Sequence, residues 1–266
     1  MIHGAIENGR IFYSESGKGL APYLAAKGFD VFVVDMRGRG KSSPSIGRGS
    51  VFGQTEAIME DIPALINAVR NIHGDRPLQW VAHSWGGVLL TSFLARFPEQ
   101  VKGVKSLVYF GSKRTIRVWN IWRILKVDLV WNIICPLACL FAGYLPARQL
   151  RFGSDSETTK FYRQSAEWVK NDAWVDTDDG FDYGAAVRKI ILPPIWYIAA
   201  KNDHALGHPD DVRDFMNSTG EQKSRFTILG RQNGSLHDYD HINMLTHPDA
   251  VSDHFPKVAE WLQQHR

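Results

Sequence analysis

The chain has 266 residues, 44% of them hydrophobic and 22% charged, with a formal net charge of +3. That length suits one large α/β domain with an inserted subdomain, and the composition is that of a soluble globular protein. The small net charge, with no basic arm and no recognisable DNA or RNA module, excludes a nucleic-acid binder. In chain order, Met1 to Gly4 reads as the tail of a strand, followed by a polar, glycine-containing loop to about Gly19. Ala21 to Lys27 is a predicted helix, and Gly28 suits its C-terminal end. Phe29 to Val34 is a nearly unbroken apolar run, as expected for a parallel strand buried on both faces. It leads into Asp35-Met36-Arg37-Gly38-Arg39-Gly40-Lys41-Ser42-Ser43. That turn matches neither a P-loop nor a dinucleotide fingerprint, so it is expected to be structural, braced by Asp35 and Arg37.

A helix follows, with Ile58, Ile62, Leu65, Ile66 and Val69 on one side; Pro63 either kinks it or begins its second half, and Gly74 stops it. Leu78 to Ala82 is a strand-type run, and Val88 to Arg96 has helical spacing. Between them lies Ala82-His83-Ser84-Trp85-Gly86-Gly87. A strand, a tight turn and a helix thus hold a serine at the turn, with small residues two before and two after it. That arrangement lifts a hydroxyl off the sheet and aims the Trp85 N–H at a developing negative charge. The same string also suits a serine that merely caps a helix. A strand at Val104 to Phe110 completes an alternation of strand and helix that predicts a doubly wound, mostly parallel sheet.

The composition changes at Ser112. Between Ser112 and Arg151 there are seven basic side chains (Lys113, Arg114, Arg117, Arg123, Lys126, Arg148, Arg151) against Asp128 alone. Aromatic residues are interleaved with them. Leu129 to Leu145 is apolar but shorter than the ~20 residues of a membrane span, and Asn132 and Pro136 interrupt it. Residues 113–185 are read as a helical insertion whose five tryptophans mostly pack its own core; residues 1–112 and 186–266 form the remaining unit. Strands return at Ile195–Ala200 and at Phe226 to Leu229. A last helix places Val251, Phe255, Val258 and Leu262 on one face. Cys135 and Cys139 have no partner ligands and read as core residues, which favours a reduced, cytoplasmic setting.

A serine hydroxyl needs a base within reach, and the base needs an acid to fix its tautomer. Asp203 follows the strand ending at Ala200, and His241 follows the last strand. The order Ser, Asp, His is that of elbow-type hydrolases, and loops at carboxyl strand ends share one rim. His237 is a rival base; Asp178, Asp179 and Asp210 are rival acids. His204, His208 and His241 lack the spacing of a metal site, so no metal and no cofactor is expected.

These residues resemble the α/β-hydrolase family of lipase and esterase kind. His3-Gly4 is similar to its oxyanion loop, Asp35 to Ser42 to its D-x-R-G-x-G-x-S turn, and Ser84, Asp203 and His241 to its triad. The segment 113–185 sits where the family inserts a lid. The resemblance implies an oxyanion hole from the backbone N–H of Trp85 and of Ala5. It implies that His83 is structural, pointing away from the hydroxyl. It also implies that the family's first two strands and most of its third lie upstream of Met1, so the sequence reads as truncated, and an upstream signal would be lost with them. The expected function is hydrolysis of a small-molecule carboxylic ester with an apolar acyl chain. The alternatives are an acyltransferase of polyester-synthase type, whose relatives usually carry cysteine at the elbow, and a catalytically silent binding protein. The basic, Trp-rich insertion suggests peripheral membrane contact, an anionic substrate or simply a solvated face. Oligomeric state, acyl length and alcohol stay open.

Overall fold

The computed structural model describes residues 1–220 and 223–266. Its centre is a parallel sheet of four strands, in the order Leu78–His83, Val104–Phe110, Ile195–Ala200, Ser224–Leu229. Ala82 stands beside Tyr109, Tyr109 beside Tyr197 and Tyr197 beside Phe226. The three strands Leu78–His83, Val104–Phe110 and Ile195–Ala200 are mostly buried because helices cover both faces, whereas the edge strand Ser224–Leu229 is buried only at Leu229. Trp80, Ala82, Leu107, Tyr109, Ile195 and Tyr197 point to one face, where they meet Val88, Leu89, Ile62 and Phe215. The alternate residues Val81, Val108, Phe110, Trp196 and Ile198 point to the other, against Leu20, Leu24, Phe255 and Val258. The period-2 alternation therefore divides one hydrophobic run between two cores.

The helix Trp85–Arg96 is buried along nearly its whole length. Two glycines allow its close approach. A Cβ on Gly86 would lie 2.6 Å from the His3 carbonyl oxygen, and one on Gly87 would lie 2.3 Å from Ser112 Oγ.

Three elements differ from expectation. Phe29 to Val34 forms no regular strand. Its neighbour in the sheet is only Met1 to His3, where Ile2 bridges both Val34 and Ala82 in parallel sense. Beyond that point the gap between the two segments is a cavity of about 480 Å³ lined by Phe29, Val31, Ile62, Ile66, Trp80 and Leu90. A strand without a ladder partner has no hydrogen bonds to regularise it. Second, Val251 does not join the face of the last helix. That helix is Phe255–Gln264, and Val251 ends the preceding turn Pro248–Val251, where it is exposed.

Third, the apolar helix that lies between the strands Val104–Phe110 and Ile195–Ala200 is longer than its sequence suggests. It runs without a break from Ile121 to Ala142, and Pro136 does not interrupt it. The turns from Ile124 to Ile134 are of the wider π type, which gives the pyrrolidine ring room that a regular α-helix lacks. Only one side of this helix packs inward, through Val127, Cys135 and Cys139. Cys135 and Cys139 join Leu145, Ala147, Tyr162 and Ala166 in a small separate core. Of the five tryptophans between those two strands, Trp168 and Trp174 are buried and Trp131 half-buried, whereas Trp119 and Trp122 face outward.

Candidate active site

The strand Leu78–His83 passes directly into the helix Trp85–Arg96, leaving one residue for the turn. That residue, Ser84, adopts φ 51° and ψ −124°, a conformation an L-residue holds only when its surroundings impose it. Its N–H donates to the Phe110 carbonyl at 2.7 Å, which ties the turn to the neighbouring strand end. Trp85 opens the helix, so its N–H has no acceptor within the helix. The loop after the first strand segment lies against this turn. A Cβ on Gly4 would stand 2.8 Å from Ser84 Cβ and 3.0 Å from the Trp85 nitrogen, so only glycine fits. Ala5 follows it, half-buried at the same edge.

The loops after Ile195–Ala200 and Ser224–Leu229 bring in two more side chains. His241 Nε2 is 3.0 Å from Ser84 Oγ, and His241 Nδ1 is 2.5 Å from Asp203 Oδ2. Both Asp203 and His241 are buried. Burial alone would raise the Asp203 pKa. The adjacent His241 ring and the N–H groups of Gly207 and Leu206 outweigh it and bring the carboxyl down to about 2. Asp203 is therefore a charged acceptor across the neutral pH range, and it fixes the proton on His241 Nδ1. His241 Nε2 is then the acceptor facing the serine hydroxyl.

The rival residues are engaged elsewhere. His237 pairs with Asp249 at 2.7 Å. Asp178 binds Lys160, Asp179 binds Arg96, and Asp210 lies beside His208 and Arg213. His204 stacks on Trp122. Among the described residues, one trio of metal-ligand types, His237, His247 and Asp249, comes within 4.8 Å of one another. Its own hydrogen bonds already occupy it: His237 takes Asp249 Oδ2, and His247 Nδ1 accepts the Asp249 N–H. The Asp35 turn is held by its own side chains. Asp35 accepts from the N–H groups of Gly9 and Lys41, while Arg37 pairs with Asp61. A Cβ on Gly40 would collide with the Asp35 carboxylate, so that glycine is required.

A second buried pair lies directly behind the first. His83 Nδ1 faces both oxygens of Glu7, at 2.8 and 2.9 Å, and His83 Nε2 faces the His241 carbonyl oxygen at 2.8 Å. Both ring nitrogens meet acceptors, which an imidazolium satisfies and a neutral ring does not. Burial disfavours that charge, but Glu7 outweighs it and the His83 pKa is raised. The Glu7 pKa is lowered, since His83 more than offsets the effect of its burial. Glu7 also accepts the Gly4 N–H at 3.1 Å. One carboxylate thus ties the loop at Gly4, the strand end at His83 and, through His83, the backbone of His241. The sequence gives a weak signal for it: an acid three residues after His3-Gly4 and a histidine just before the turn serine.

Two cations that follow the strand Val104–Phe110 are buried here. Arg114 is spent on the carbonyls of Trp168, Asn171 and Asp172. The Lys113 ammonium lies 5.4 Å from the centre of the Trp85 ring and makes no ion pair among the described residues.

Comparison with known proteins agrees with this architecture. Residues 1–123 match the family model for the alpha/beta hydrolase fold. A soluble variant of monoglyceride lipase from Saccharomyces cerevisiae superposes with a TM-score of 0.65 at 18% identity, covering 99% of this chain and 85% of that one. The Paleococcus ferrophilus monoacylglycerol lipase gives 0.61 at 15% identity, covering 100% and 93%. In sequence, 88 residues are 36% identical to bifunctional epoxide hydrolase 2 of Sus scrofa, a stretch that makes up 32% of this chain and 14% of that protein. The chain has the alpha/beta hydrolase fold.

Proposed function

We propose that the chain is a serine hydrolase that cleaves a carboxylic ester through an acyl-enzyme. The observation that carries this reading is the linear contact of Ser84 Oγ, His241 and Asp203. His241 Nε2 takes the serine proton as Oγ attacks the carbonyl carbon. The resulting oxyanion is held by the N–H groups of Trp85 and Ala5, each contributing roughly 3 kcal/mol to the transition state. His241 then returns the proton to the leaving alcohol. Water enters by the same route and releases the acid. Asp203 holds the imidazole and offsets its charge while it is protonated.

The partial likeness to an epoxide hydrolase does not favour epoxide opening. A serine oxygen attacking an epoxide carbon would leave an ether, which water at this site cannot cleave, so the enzyme would not turn over. Attack on an ester leaves a new ester, which it can. Transfer to an alcohol in place of water remains the second reading, and product analysis with and without an acceptor alcohol separates the two. The reading itself is tested with p-nitrophenyl esters of graded chain length. Hydrolysis is expected for the wild type and loss of it for Ser84→Ala. Equal rates for the two proteins would rule out Ser84 as nucleophile.

A further inference from the structure

The helix Ile121–Ala142 is apolar yet little buried. Of its residues only Val127, Cys135 and Cys139 are buried. From Leu129 to Phe141 the chain carries no charged side chain, and Leu137, Leu140 and Phe141 are all exposed. At the other end the character changes. Arg123, which also pairs with Asp128 at 3.5 Å, lies over the ring of Trp119 at 4.6 Å and Lys126 over that of Trp122 at 5.6 Å, both rings facing outward. Contiguous exposed apolar surface of this extent marks an interaction site.

We propose that this helix seats the protein on the surface of an anionic lipid bilayer. It lies in the interface rather than crossing it. At 22 residues it has the length of a span. Both its ends, however, are tied to the same folded body. Asn120 Nδ2 donates to the His204 carbonyl at 2.7 Å, and just past the other end Tyr144–Leu145 pairs with Glu157–Thr158. A helix whose two ends are bonded to one domain cannot place them on opposite sides of a membrane while that domain stays folded.

The polarity along the helix selects lipid over a protein partner. A protein interface of this size surrounds its apolar centre with polar groups that pair across it. Here hydrocarbon side chains fill one end and paired tryptophan and cation the other, which is the arrangement an acyl layer under negative headgroups accommodates. The end at Leu137 to Phe141 sits deeper, and Trp119 and Trp122 sit among the headgroups. Resting on the proposed ester chemistry, one consequence follows for catalysis. The helix begins at a bond to His204, next to Asp203, so docking brings the rim that carries Ser84 toward the lipid from which an ester with an apolar acyl chain enters.

The test is cosedimentation of the full chain with vesicles of phosphatidylcholine, alone or with phosphatidylserine. Wild type and Ser84→Ala are expected to bind alike, which separates docking from the ester reading. Added phosphatidylserine should tighten binding, and replacing Arg123 and Lys126 by glutamine should remove about five-fold per charge. A Leu137→Glu, Leu140→Glu double variant should bind both vesicles about ten-fold more weakly or worse. Its circular dichroism should match wild type. Brominated lipids should quench the tryptophan fluorescence of the unaltered protein, a readout that needs no variant. Wild type left in the supernatant with unquenched fluorescence would overturn the proposal. So would a dimer in sedimentation velocity that the double variant dissolves, since the face would then cover a second copy of this chain.

Discussion

The rim that carries Ser84 and the helix Ile121–Ala142 put similar resources to opposite uses. At the rim, charged and polar groups are buried and nearly every one is paired: Asp203 with His241, Glu7 with His83, Arg114 with three carbonyls. On the helix, apolar groups are exposed and nothing among the described residues covers them. Burial of charge is costly unless it is paired, and exposure of hydrocarbon is costly unless something else buries it. Each region therefore departs from the ordinary partition of residues, and each departure underlies one of the two proposals: a reacting carbonyl at the rim, a lipid layer at the helix.

Substitutions can break that contrast, and the largest effect belongs to the rim. Asp203→Asn keeps the shape but removes the acceptor that fixes the His241 tautomer. Its kcat on an activated ester should fall about 10⁴-fold, with KM little changed. Stability should respond as well. Asp203 titrates near 2 in the fold against an ordinary 3.8, so it stabilises the protein by about 2 kcal/mol above pH 3.8. That contribution is lost as the pH falls through 2, and the asparagine variant should lack this acid-dependent component in denaturant titrations.

Next in size is the same kind of residue in the two environments. Leu94 is fully buried beneath the sheet, and Leu94→Ala should cost about 2–5 kcal/mol in urea unfolding. Leu140 is 73% exposed, and even Leu140→Glu should stay within about 0.5 kcal/mol of wild type. A large loss from the second change would mean that the helix face packs against the protein after all.

The smaller expected effects test paired against unpaired charge. Lys113 is the exception at the rim: burial lowers its pKa, with Asp203, Asp211 and Glu7 only partly opposing that. A lowered lysine pKa means that its charge destabilises the fold at neutral pH, and the penalty fades as the pH rises toward the ordinary 10.5. Lys113→Met should therefore stabilise the protein at neutral pH, with the gain shrinking near pH 10.5. The Glu7–His83 pair has the opposite sign. Its contribution is complete between the ordinary values of 4.5 and 6.5. It weakens as the pH falls through the lowered Glu7 value or rises through the raised His83 value. Glu7→Gln should destabilise most within that window, as thermal unfolding followed across pH will show.

What could be read in the sequence follows the same division. The strands at 78–83, 104–110 and 195–200 were legible because helices bury both their faces, which leaves runs of mainly apolar residues, unbroken in Ile195–Ala200 and interrupted by Gln79 in the first and by Lys105 and Ser106 in the second. Ser84, Asp203 and His241 were legible because the topology of a parallel sheet gathers the ends of its strands on one rim, whatever their separation in the chain. Glu7 was not, since a lone acid in a polar loop has no periodicity and acquires its role only when His83 is placed beside it. The ladder at 29–34 failed to form because pairing depends on a neighbour, not on the run itself. The continuity of the 121–142 helix was hidden by Pro136, which marks a break only where the turn before it is a tight α-turn. Hydropathy there was legible, but whether those side chains turn inward is decided by what else the fold supplies to cover them.

The central claim is that Ser84 Oγ, made nucleophilic by His241, is the atom that forms the covalent bond. It is tested most directly by reacting the protein with a fluorophosphonate and mapping the adduct by peptide mass spectrometry. A single stoichiometric adduct on Ser84, absent in Ser84→Ala and strongly slowed in His241→Ala, is the predicted result. No adduct, or one on a different residue in the wild-type chain, would contradict it.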